Sequence, residues 1–244
     1  MNIVFFTSMD INYYNHCGKA MLESFSKQYK KGKISVYNED NFNPDIKCAN
    51  LMGWNLGPDF NNFIKRWHKN SKITTFAKKG FSIIHAMNNI DCDRLVWLDA
   101  DSVLTLPIHQ QLINFMCPND TLSSHFKVRH YENNQIYTSC ETGFFILNKK
   151  HKNFQDFKNI YTDIYINDDY KNLRRFYDGE VYGETVLRLE ANGVKMQDLN
   201  PGSHKTPISR SLLAPYFLHL KAGLKDNYTN EILEEKFLKK EDEI

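Results

Sequence analysis

The chain has 244 residues, 41% of them hydrophobic, 25% charged and 14% aromatic, which suits one sizeable folded domain and excludes extended disorder. With 31 Lys and Arg against 29 Asp and Glu, the net charge of +2 is too balanced for a nucleic-acid binder that relies on bulk charge. The five cysteines (Cys17, Cys48, Cys92, Cys117 and Cys140) form no CxxC pair and no zinc-finger spacing with His, so a reducing, cytoplasmic compartment is expected. No window approaches the ~18 apolar residues of a membrane span, and "MNIVFFTSMD" lacks the long apolar run and basic flank of a signal peptide.

"NIVFFTS" (2–8) reads as a buried strand closed by polar residues. "NYYNHCGKAMLESFSKQYKK" (12–31) reads as a helix, with Cys17, Met21, Leu22 and Phe25 recurring on one face, and "KISVYNED" (33–40) as a second strand. This strand–helix–strand opening predicts an α/β domain with parallel strands. Residues 41–62 carry Pro44, Gly53, Gly57 and Pro58 and read as loop. Two helices follow, "FNNFIKRWHKN" (60–70) and a longer one from near Thr75 with Phe76, Phe81, Ile84 and Met87 on one side. The apolar strand "RLVWL" (94–98) then runs into Asp99-Ala100-Asp101.

Beyond it, "HQQLINFM" (109–116) predicts a short helix, and "QIYTSCETGFFILNKK" (135–150) contains the strand "GFFILN". Residues 151–168 form an amphipathic pattern through Phe154, Phe157, Ile160 and Ile164. "GETVLRLEANG" (183–193) predicts a helix stopped by Asn192-Gly193, and "VKMQDL" and "YFLHLKAG" predict late strands. The last residues, 229–244, read as a charged helix or tail after a folded unit at 1–228.

Asp99 and Asp101 are the chemistry-bearing pair. Alternation along an extended chain points both carboxylates to one side, at a strand C-terminus where open α/β sheets bind ligands. Two hard oxygen donors there suit Mg²⁺ or Mn²⁺ together with substrate phosphate oxygens. The same letters, "WLDADSVL", also fit a haloacid-dehalogenase-type phosphatase with Asp99 as nucleophile and Asp101 as acid/base, its second acidic pair sought in "NDDY" (167–170). Basic clusters at 27–33, 65–72 and 78–79 read first as solvated helix faces.

In order along the chain, these pieces resemble the nucleotide-sugar-dependent glycosyltransferases of the GT-A fold, in layout the family 8 group of glycogenin and bacterial galactosyltransferases. The resemblance rests on "IVFFTSMDINYYNHCGKAMLESF", "FAKKGFSIIHAMNNIDCDRLVWLDADSVLTLP", "SCETGFFILNKK" and "FLHLKAGLKD", which together span most of residues 2–225. It implies a Rossmann-like three-layer α/β/α domain with a mainly parallel central sheet. It also implies a metal-dependent transfer of sugar from a nucleoside-diphosphate sugar, a UDP-sugar first, to an acceptor hydroxyl, with retention favoured.

By the same resemblance, Asp101 and His219 would bind the divalent ion, and Asp99 would touch the ion or ribose. Ser8 and Asp10 would line the base pocket. Lys78 or Lys79 would contact the nucleotide, and Lys225, rather than Lys221, would neutralise the diphosphate. Glu184, Glu141 or Asp178 would face the reacting sugar. The cofactor would be Mn²⁺ or Mg²⁺. The acceptor is left open between a saccharide, a glycolipid and a hydroxymethylated DNA base. A protein of this fold that binds a nucleotide-sugar without turnover also stays open.

Overall fold

The computed structural model describes residues 1–220 and 232, apart from 31, 45, 133, 168, 201 and 203–207. The predicted tail at 229–244, Lys221 and Lys225 lie outside the described residues, save Ile232.

The chain begins with β1 (Ile3–Met9), a short helix α1 (Ile11–Tyr13), a π turn (Tyr14–Gly18), α2 (Lys19–Gln28) and β2 (Ile34–Asn38). The stretch predicted as loop contains a further strand, β3 (Ala49–Met52), before α3 (Pro58–Trp67) and α4 (Ser71–Asn89). Then come β4 (Arg94–Leu98), β5 (Ser102–Leu104), α5 (Gln110–Met116), β6 (Ser123–Glu132) and β7 (Gln135–Asn148). Helices α6 (Phe154–Ile166) and α7 (Asp178–Ala191) precede two short strands, β8 (Gln197–Asp198) and β9 (Phe217–His219).

Seven strands form one sheet in the order β3-β2-β1-β4-β7-β6-β8. The pairings β3–β2, β2–β1, β1–β4 and β6–β8 are parallel, and β4–β7 and β7–β6 antiparallel. Alternation along each strand sends one set of side chains to each face. Leu95, Trp97, Phe145 and Leu147 pack under α3, α4, α6 and α7, whereas Val96, Leu98, Phe144 and Ile146 pack under α2 and α5. Both faces are covered, which is the three-layer α/β/α arrangement predicted.

Helix α4 buries only part of the predicted face, Phe81 and Met87, and adds Ile73, Ala77, Ile83 and Ala86 to it. Phe76 and Ile84 are only partly covered. Gly80 sets that face, because a Cβ there would collide with the Tyr165 side chain of α6.

The parallel strands β1, β2 and β4 all end on one edge of the sheet. Leu98 pairs with Phe144, so residues 141–143 of β7 lie just past the end of β4. A second, two-stranded sheet stands beside this edge, with Ser102 opposite His219 and Leu104 opposite Phe217.

Candidate metal centre

Asp99 follows the last residue of β4, and its amide donates to the Gly143 carbonyl at 2.9 Å. Asp101 precedes β5, and its carbonyl accepts from Leu220 N at 2.9 Å. His219 ends β9. Asp99, Asp101 and His219 offer ligand atoms that all lie within 4.8 Å of one another, and His219 Nε2 is 3.3 Å from Asp101 Oδ1. Neighbouring ligands on an ion with bonds of ~2.1 Å stand about 3 Å apart, so the spacing and the two-carboxylate, one-imidazole donor set fit Mn²⁺ or Mg²⁺. Gly143 makes room for this arrangement, since a Cβ there would lie 2.8 Å from His219 Cε1.

These groups open into a cavity of about 640 Å³. Ser8, Asp10 and Glu39 line it from the ends of β1 and β2, Tyr13 from α1, and Lys72, Phe76, Lys78 and Lys79 from α4. Glu141, Thr142, Tyr177 and Asp178 close the other side. Of the residues predicted for the site, Ser8, Asp10, Lys78, Lys79, Asp99, Asp101, Glu141, Asp178 and His219 therefore share one space.

Glu184 does not join them. Helix α7 starts at Asp178 rather than near Gly183, and Glu184, six residues on, faces outward and accepts from Arg188 Nε at 2.8 Å. Of the acidic stretch "NDDY", Asp169 lies 3.7 Å from Arg188 and does not line the cavity, and Asp168 lies outside the described residues.

Lys79 is the electrostatic centre of the wall. Its ammonium is 2.6 Å from Asp99 Oδ1 and 3.0 Å from Asp178 Oδ2, and it donates to the Thr142 carbonyl at 2.8 Å. It also sits 4.9 Å from the centre of the Trp97 ring, whose indole N–H donates to Asp99 Oδ1 at 2.6 Å. Burial works against the charge, but Asp178 and Asp99 together outweigh it and hold the Lys79 pKa above its ordinary value. The Thr142 hydroxyl donates a short hydrogen bond to Asp178.

Lys78 pairs with Glu39 at 2.8 Å, at the end of β2. Burial raises the Glu39 pKa even though Lys78 opposes it. Asp10 caps the first helical turn by accepting from Tyr13 N at 2.7 Å. The Tyr13 hydroxyl in turn donates to Asp101 Oδ2 at 3.1 Å. Burial, then the Asp101 and Asp99 charges, push the Tyr13 phenol up, so it stays a proton donor.

Sequence reasoning missed Tyr13, Lys72, Trp97 and Thr142. Tyr13 was hidden in a run that reads as one helix face, and Trp97 in an apolar strand. Thr142 carried a signal, its place next to Glu141 at the start of "GFFILN".

No family model and no curated protein matches the chain. Solved structures do. The galactosyltransferase LgtC, in complex with donor and acceptor sugar analogs, is 16% identical over 86% of this chain and 82% of its own, with a TM-score of 0.51. GlyE from Streptococcus pneumoniae TIGR4, a glycosyltransferase, is 12% identical over 96% of this chain and 59% of its own, with a TM-score of 0.51. The bifunctional glycosyltransferase WbbM is 14% identical over 73% of this chain, which spans 38% of WbbM, with a TM-score of 0.46. The fold is thus the GT-A fold of LgtC and GlyE.

Proposed function

We propose that the chain is a metal-dependent glycosyltransferase that moves a sugar from a nucleoside-diphosphate sugar, a UDP-sugar first, to an acceptor hydroxyl. The observation that carries this reading is the convergence of Asp99, Asp101 and His219 at the mouth of a 640 Å³ cavity, at the edge where β1, β2 and β4 end. The GT-A fold supports it.

Asp99, Asp101 and His219 would hold the divalent ion. When bound, Mn²⁺ or Mg²⁺ supplies Lewis-acid stabilisation of the departing diphosphate. Ser8 and Asp10, at the end of β1, take the nucleoside side of the donor. Lys79 keeps Asp99 and Asp178 in place, and Lys72 and Lys78 add positive charge along the wall that a diphosphate would face. The sugar lies toward β7, where Glu141 offers a half-buried carboxylate for its hydroxyls or its reacting carbon. Asp178, bound to Lys79 and Thr142, suits orientation of the sugar more than proton transfer. Retention of configuration is favoured by the family 8 likeness.

The acceptor is a saccharide or a glycolipid before it is DNA. The cluster at 27–33 immediately precedes β2, at the sheet edge opposite the cavity, and only Lys72 of the 65–72 cluster lines the cavity. No helix among the described residues is long and apolar enough to cross a membrane.

The test is release of nucleotide from a panel of UDP- and GDP-sugars with Mn²⁺, with and without candidate acceptors. Turnover with one donor, reduced about 100-fold or more by Asp101→Ala, supports the reading. Undiminished turnover in Asp101→Ala sinks the site. A covalent aspartyl-phosphate on Asp99 would restore the phosphatase alternative, and binding without turnover would leave a nucleotide-sugar receptor.

A further inference from the structure

Asp101 sits where the two sheets meet, and its side chain is held from both ends. His219 Nε2 lies 3.3 Å from Oδ1, and the Tyr13 hydroxyl donates to Oδ2 at 3.1 Å. A carboxylate whose Oδ2 accepts from a phenol is restrained in its rotation about Cβ–Cγ, which keeps its other oxygen, itself buried, beside His219.

The backbone that carries the phenol is fixed, although Tyr13 is 37% exposed. Tyr13 N donates to Asp10 Oδ1 at 2.7 Å, which locks the start of the helix. One turn later, Cys17 and Ala20 pack against Val103 of β5 and Leu220, the residue after β9. Further along, Ser24 Oγ accepts from Leu104 N at 3.0 Å. The helical run from α1 through the π turn to α2 therefore backs the small sheet that carries Asp101 and His219. A π turn at this point re-aims the side chains around it without ending the helix.

We infer that Tyr13 is a positioning residue for the metal: its hydroxyl orients the Asp101 carboxylate toward the ion that Asp101 would hold with Asp99 and His219. This inference rests on the metal-dependent reading given above, and it assigns to the first helix a function in cation affinity that neither the fold nor the DxD triplet requires. Loss of the hydroxyl removes this hydrogen bond to Oδ2 and loosens the carboxylate, which lowers affinity while the backbone cap stays in place.

The experiment is titration of the full chain with Mn²⁺, read by electron paramagnetic resonance of the free aquo ion. Wild type, Tyr13→Phe and Asp101→Asn are compared, and thermal midpoints are taken in EDTA. Tyr13→Phe is expected to bind Mn²⁺ about 10-fold more weakly, with an unchanged metal-free midpoint. Binding by Tyr13→Phe as tight as wild type, beside a clear loss in Asp101→Asn, overturns the inference and leaves the metal site standing. A weaker affinity matched by a fall in the metal-free midpoint overturns it too, because Tyr13 would then act through folding. Wild type that binds no Mn²⁺, or Asp101→Asn that binds like wild type, brings down the metal reading itself and the inference with it.

Discussion

Lys79, in the wall of the cavity, is an internal counter-ion to two carboxylates. Its side chain is 15% exposed, that of Asp178 8% and that of Asp99 25%. Removing it strands both acids in a largely dry wall, so Lys79→Ala is expected to destabilise the fold by about 2–4 kcal/mol, toward the low side because Asp99 is partly solvated. Urea unfolding of the two proteins measures the difference, and a change within error would show that solvent already screens the cluster.

His125 gives a pH signature at the same scale. It is fully buried, its Nδ1 is 3.1 Å from Ser123 Oγ, and burial, with a smaller push from Lys127, takes its pKa from 6.5 down to about 3. The unfolded chain takes up this proton near pH ~6.5 and the folded chain does not. Its contribution to stability is therefore complete above that pH and is lost as pH falls toward 3, at up to ~1.4 kcal/mol per pH unit. His125→Gln is expected to flatten the fall in unfolding free energy between about pH 7 and about pH 5. An unaltered slope would assign the acid sensitivity to other groups.

The packing of α7 on β7 decides which acidic residues reach the cavity. A Cβ on Gly179 would collide with the Cys140 carbonyl oxygen, and one on Gly183 would lie 2.9 Å from Ser139 Cα. Both glycines let the helix approach the strand, which brings Asp178 to Lys79 and turns Glu184 outward. Because the obstacle at Gly179 is backbone, Gly179→Ala is expected to cost about 1–3 kcal/mol. It should also reduce nucleotide-sugar turnover, measured together with the thermal midpoint; a neutral outcome at both would mean that α7 can withdraw without moving Asp178. The helix was expected to start at Gly183 and starts at Asp178, because Gly179 and Gly183 make their close contact with a partner strand that local sequence does not reveal.

The same reason governs the other differences. Strand β1, β2, β4 and the helices between them were legible from apolar runs and periodicity. Strand β6 was not, because "SSHFKVRHYE" is polar on one side and gains its place by pairing with β7. The DxD triplet and His219 could be named from the chain, whereas the Lys79–Asp178 pair joins residues 99 positions apart by its numbering, and Tyr13 reaches Asp101 across 88. Such contacts depend on the fold and leave no local pattern.

For the whole molecule, a three-layer domain places the ends of β1, β2 and β4 beside a small second sheet, and the candidate centre lies across that junction. Asp99 comes from the main sheet, and Asp101 and His219 flank the small one. An ion held there would tie the two sheets together, so saturating Mn²⁺ at 100 times its Kd is expected to raise stability by about 2.7 kcal/mol. The most direct measurement is calorimetric titration of UDP into the full chain with Mn²⁺ and again in EDTA. A metal-dependent donor site gives binding that weakens at least about 10-fold in EDTA and in Asp101→Ala. Equal UDP affinity with and without the ion, in wild type and in Asp101→Ala alike, would contradict it.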